Sequence, residues 1–148
     1  MMADGLRLKA GDMEDLGVIS AVLQDAILPI GEMAYLPAEA CFVLVANRFR
    51  WEGEGKAPAG PTPDEPVAGE RVHSAVRFHK VTHVACRGVD LKRRDQFLSL
   101  LSLEAMDGAI LLHMAGGADI RLTVGGIDCL LEDIGLPWPA GSRPAHPD

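Results

Sequence analysis

Six side chains at alternate positions between residues 71 and 87 have the types for chemistry: Arg71, His73, Arg77, His79, His83 and Arg87. In a strand, residues two apart point the same way, so these six share one face, while Val72, Val76, Phe78, Val84 and Cys86 share the other. An arginine fork pairs bidentately with carboxylate or phosphate. Such a face offers a site for a small anion, a nucleotide or an acidic protein partner. If the run pairs antiparallel with Cys41–Glu52, Arg48 and Arg50 are expected on the same face, with Glu52 beside Arg71. The candidate binding set is therefore Arg48, Arg50, Arg71, His73 and Arg77. The bland alternative is a solvated sheet face, since half-buried strands alternate in this way and long charged side chains also deter strand addition.

Other chemistries find less support. At about 3.3 Å per residue, His79 and His83 stand roughly 13 Å apart along a strand, whereas metal ligands lie about 2 Å from a shared ion. A metal-dependent enzyme using the histidines would need the chain to fold back near Val81, so no metal is expected. Cys86 and His83 fall on opposite faces, and no residue is placed to orient the imidazole, which argues against a thiol nucleophile. His113 stands alone, and Glu104, Asp119, Glu132 and Asp133 form no pair that spacing alone brings together for acid–base work. Gly125-Gly126 lacks a phosphate-loop pattern, and Asp128 would repel an anion there. Phe49 and Trp51 are continuous with Val43 and Val45 and are expected in the core. No catalytic residue and no cofactor is assigned, and an enzyme is disfavoured.

These residues need elements to hold them. Leu6–Ala10 alternates as a strand. Asp12 then caps a helix on which Leu16, Ile19, Val22, Leu23 and Ala26 share a face, with Glu14 and Asp15 in its favourable first turn. Leu28–Leu36 is strand-like and turns through Pro37-Ala38-Glu39 into Cys41–Glu52, forming a hairpin. Residues 53–70 are rich in proline, glycine and acid, cannot bury enough apolar surface to offset their ordering entropy, and are expected to be a flexible loop inside one domain. Arg71–Gly88 is too long for one flat strand and should bend or turn tightly near Lys80–Thr82, or else coil strongly. Phe97–Met106, Ala109–Ala115 and Ala118–Val124 form a meander through Asp107-Gly108 and Gly116-Gly117. Ile127, Leu130, Leu131 and Ile134 fit one face of a C-terminal helix stopped by Gly135 and Pro137, and the tail at 139–148 is expected to be disordered.

The resulting class is α+β: mainly an antiparallel sheet of about seven strands, bent or barrel-like, with an N-terminal β-α unit and a C-terminal helix. This element order resembles a pleckstrin-homology-like roll. A single twisted sheet with both helices on one face is the alternative.

With 148 residues the chain fits one domain, residues 1–148, and closes a core without disulfides. Acidic residues outnumber basic ones by 21 to 14, giving a formal charge of −7. That charge disfavours global attraction to nucleic acid or anionic lipid, and any anion site must be a local patch. Cys41, Cys86 and Cys129 lack zinc or disulfide spacing and are expected as small core residues. Neither end shows the apolar span of a membrane anchor or the basic–apolar–small pattern of a signal peptide, so the cytoplasm is the expected location.

The segments Gly31-Glu32-Met33-Ala34-Tyr35-Leu36-Pro37, Asn47-Arg48-Phe49-Arg50-Trp51-Glu52 and Gly116-Gly117-Ala118-Asp119-Ile120-Arg121-Leu122 resemble an alphaproteobacterial-type family catalogued as domain of unknown function 2948. The resemblance spans nearly the whole chain apart from the loop and tail. It implies a cytosolic bacterial protein and carries no catalytic residue. Together these readings favour a non-enzymatic module that binds a protein partner or itself, with small-anion or nucleotide binding by the basic face as the alternative.

Overall fold

The computed structural model describes residues 5–49 and 70–139. The expectations for Arg50, Trp51, Glu52, the loop and the tail beyond Pro139 lie outside the described residues.

The chain opens with β1 (Arg7–Ala10) and helix α1 (Met13–Val22). Asp12 caps the helix as its sequence suggests, its carboxylate accepting from the Asp15 amide at 2.8 Å. Leu16 and Ile19 turn the buried face of α1 toward the sheet, followed by Leu23 and Ala26. Next come β2 (Ile27–Pro29), a 3₁₀ turn, β3 (Ala34–Leu36), a second 3₁₀ turn over Pro37–Glu39, and β4 (Cys41–Phe49). β3 pairs antiparallel with β4, which makes the expected hairpin.

The long Arg71–Gly88 run is two strands, β5 (Glu70–Phe78) and β6 (Val81–Arg87). They are broken at Lys80, whose φ of +63° redirects the chain. Three backbone hydrogen bonds pin this bend: His79 N to Asp128 O, Val81 N to Ala40 O, and Gly125 N to Lys80 O. The meander follows as β7 (Phe97–Met106), β8 (Ala109–Met114) and β9 (Asp119–Val124). Gly108, Gly116 and Gly117 supply the positive φ its turns need.

The last element corrects the expected C-terminal helix. Residues 129–139 form a strand, β10 (Cys129–Pro139), lying between β1 and β5. Cys129 and Leu131 point into the core while Glu132 and Ile134 are exposed, so the operative period is two. Ile127, Leu130, Leu131 and Ile134 also fit a helix, but hydrogen-bonded neighbours on both sides favour the extended form. Without that helix, the pleckstrin-homology-like roll loses its closing element among the described residues.

Among the described residues the architecture is one antiparallel ten-stranded sheet in the order β1-β10-β5-β4-β2-β7-β8-β9-β6, with β3 also on β4. The count exceeds the expected seven because short strands such as β2 and β3 and the terminal β10 join it. β7 serves two halves, pairing β2 through Phe97–Ser99 and β8 through Leu100–Met106. β5 and β6 stand far apart in the strand order, yet only His79 and Lys80 separate them in the chain. The sheet must therefore curl back on itself. It does not close: among the described residues β6 pairs with β9 alone. Phe42, Phe78, Leu100, Ile110, Leu112, Ile120 and Leu122 fill the concave side, covered by Leu16 and Ile19 of α1.

Candidate functional site

The register of β4 and β5 separates the residues that the sequence grouped. Phe49 lies opposite Arg71, Asn47 opposite His73 and Val43 opposite Arg77, whereas Arg48 lies opposite Val72. Arg48 thus points to the core side, with none of its surface exposed. This overturns its expected place on the basic face, and the reason is parity. The inward row of β4 is Phe42, Leu44, Ala46 and Arg48, so Phe49 belongs to the outer, half-buried row with Val43 and Val45.

Arg48 is held by a polar network inside the core. Its Nε donates to Asp133 Oδ1 at 3.0 Å and its second terminal nitrogen to Oδ2 at 2.7 Å, a two-point grip on the carboxylate. Ser74, also fully buried, donates to Asp133 Oδ1 at 2.6 Å and accepts from Arg48 Nε at 2.9 Å. The Leu6 amide donates to Oδ2 at 2.9 Å. Burial alone would push the Asp133 carboxyl up. Hydrogen bonds from Arg48, Ser74 and the Leu6 amide, with the Arg48 charge, outweigh burial and hold it below the ordinary aspartate value. The network ties the chain before β1 to β4, β5 and β10.

The other predicted residues lie along β5. Arg71 is half-buried and donates to the Asn47 carbonyl at 3.0 Å and its Oδ1 at 3.1 Å, while its guanidinium sits 5.7 Å from the Phe49 ring centroid. Burial pushes its pKa down, against the pull of Asp25. His73 and Arg77 are exposed on the same outer face. Four residues apart on one strand, they stand about 13 Å from each other. Arg71, His73 and Arg77 are therefore spread along a sheet face. β6, following the bend, pairs with β9 and not with β5, so His83 is carried away from His73. Among the described residues no three His, Cys, Asp or Glu side chains are grouped to hold a metal.

A second surface gathers more functional groups in less space. β6 ends the sheet, and five of its seven side chains are exposed: Thr82, His83, Ala85, Cys86 and Arg87. Cys86 therefore departs from the expected core position, unlike the buried Cys41 and Cys129. The register irregularity of β6 lies between Val81 and His83, leaving His83–Arg87 regular against β9. Beside this edge a groove of about 340 Å³ crosses the outer face of β6, β9, β8 and β7. Its floor is two cross-strand rows. One runs Ala85, Arg121, Leu111; the other runs Arg87, Asp119, His113. Met106 completes the far wall.

Within the groove Arg87 pairs with Asp119 at 2.8 Å. His113 Nε2 is 2.7 Å from Glu104 Oε1 at the far end. Arg121, exposed in the middle of β9, has no acidic partner among the described residues. The Cys86 thiol is pushed up by partial burial and then by Asp119, so it is no thiolate nucleophile at neutral pH. The arrangement suits recognition by charge and hydrogen bonding. Sequence spacing presents His113 and Asp119 only as single residues and gives Arg121 no weight at all. The two-residue spacing of Asp119 and Arg121 on β9 and of Ala85 and Arg87 on β6 is the local signal for these rows.

Among the described residues no helix is long and apolar enough to cross a membrane. No curated protein and no solved structure gives a significant match to the chain. A family model described as "Protein of unknown function (DUF2948)" matches residues 6–146, nearly the full length and both halves of the sheet, and the chain belongs to that family.

Proposed function

We propose that this is a non-enzymatic, cytoplasmic bacterial module that binds a protein partner by adding an extended segment of that partner to β6. The observation that carries this reading is the regular, solvent-facing β6 edge with a side-chain groove directly beside it. An unpaired strand edge supplies main-chain hydrogen bonds, and an adjoining groove supplies specificity, which is how strand addition works in peptide-binding domains. Natural sheet edges are usually blunted by proline, inward charges or coverage. Among the described residues no proline and no second strand lies on His83–Arg87, its one long charged side chain, Arg87, is engaged by Asp119, and Ala85 and Cys86 are small.

A panel of random short peptides displayed for selection tests this reading. Binders should shift the NMR signals of residues 82–87 and of their β9 partners, while those of the opposite edge strand β1 stay in place. Selected peptides that perturb neither β6 nor β9 would count against it.

The outer face of β5 supports a second reading, in which exposed His73 and Arg77, with Arg71 anchored behind them, meet an acidic partner or a small anion. On the next strands Arg7 and Lys9 of β1 face the same way, through Glu132 and Leu130 of β10. Arg77→Glu should then weaken capture of the selected binders, whereas β6 addition predicts no change. A phosphate-bearing metabolite would raise the melting temperature in a salt-dependent way if this face took small anions.

A further inference from the structure

We infer that the groove beside β6 is a carboxylate site, built to receive a glutamate side chain from the strand that adds to this edge. The inference rests on the strand-addition reading and says what the partner must carry.

Charge inside the groove is uneven. Its lining holds two arginines against one aspartate, and Asp119 is already engaged by Arg87. Arg121 is the cation left over, on a protein whose formal charge is −7. A positive spot attracts an acidic side chain locally while the rest of the molecule repels it, so the spot selects for position as well as for sign.

Geometry then fixes which side chain reaches it. Arg121 lies opposite Ala85 on one flank and Leu111 on the other. The side chain of Ala85 ends at a methyl group, so the space between Arg121 and the sheet edge stays open as part of the groove. A strand added to β6 would run about 10 Å from β9, two strand spacings away. An arginine and a glutamate extended toward each other cover that gap. Aspartate, one methylene shorter, falls short. Because side chains alternate, the next residue on the same face of the added strand meets the Arg87 row about 6.6 Å along. There the Arg87–Asp119 pair already satisfies both charges, so selectivity concentrates at the Ala85–Arg121 row.

The test uses two blocked peptides that alternate threonine and valine and carry one central residue, glutamate in the first and glutamine in the second. Affinity is measured by titration, and hydrogen exchange of the β6 amides reports where each peptide sits. The glutamate peptide should bind about fivefold more tightly, the scale of an exposed charge pair. That preference should shrink with added salt, vanish in Arg121→Gln and persist in part in Arg121→Lys. Arg121 is exposed, so melting temperatures matching wild type confirm that both variants fold. Equal affinities with β6 amides protected would overturn the carboxylate site and leave strand addition standing. If neither peptide protects β6, both readings fall. Acetate alone should give no saturable shift at peptide concentrations, and acetate binding as tightly as the peptide would overturn assignment of the site to a strand-borne side chain.

Discussion

Replacing Asp133 by asparagine would remove the negative charge that grips the Arg48 guanidinium, a side chain with no exposed surface to hydrate. Removing one partner of a buried pair costs about 3–5 kcal/mol. Asp133→Asn should therefore lower the unfolding free energy by that amount in a urea titration, while replacing both residues by apolar ones of similar volume should recover much of it. The same carboxylate gives a signed pH dependence. Its folded pKa lies below the unfolded value, so its stabilisation is present above the ordinary aspartate range and is lost as pH falls through the folded pKa. Melting temperature should drop on acidification in wild type, and Asp133→Asn should remove that component. The thiols differ for an equally local reason. Cys129 is buried and its pKa is pushed up to about 12, first by burial and then by Asp128. Cys41 is also buried and pushed up, but Cys86 is exposed. A thiol reagent should label one cysteine in the native protein, Cys86, and all three only after unfolding. A sequence lists arginine and aspartate without their parity. Arg48 reads as an outward residue because Val43, Val45 and Phe49 look like a core row, although the inward row is the even one.

Local signals at the level of elements are largely legible. Asp12 caps α1, Gly108 and the Gly116-Gly117 pair turn the meander, and β3 and β4 make their hairpin, all through interactions between near neighbours in the chain. The bend near Lys80–Thr82 is legible too, because an alternating pattern from Arg71 to Gly88 exceeds a typical strand length. β10 is not, since its apolar spacing fits both periods and the choice is made by β1 and β5, far away in sequence. Lys80 allows a direct check on the bend. At its φ of +63° a side chain is strained, more so when branched at Cβ. Lys80→Val should destabilise, because branching at Cβ adds to the left-handed strain that lysine already bears. Lys80→Gly should be neutral to slightly stabilising, because relief of strain is offset by about 0.4–1 kcal/mol of added freedom in the unfolded chain. Equal losses for both substitutions in thermal unfolding would show that the lysine side chain, not its backbone conformation, holds the bend.

At the scale of the molecule, the acidic balance is read directly from composition, and mainly antiparallel sheet is readable from the turns. The groove is not readable. It joins β6, β9, β8 and β7, and only the curl that brings β6 to the far end of the sheet sets Ala85 and Arg87 beside Arg121 and Asp119. That same curl leaves β6 without a second strand neighbour among the described residues and makes it the surface on which the functional account depends. Hydrogen exchange of the β6 amides with a selected peptide in excess tests this directly, because strand addition must place new hydrogen bonds on the backbone itself. Alternate amides between Thr82 and Arg87, those directed away from β9, should become protected while the amides of β1 keep their rates. Peptide binding that leaves every β6 amide exchanging as in the free protein would contradict the account.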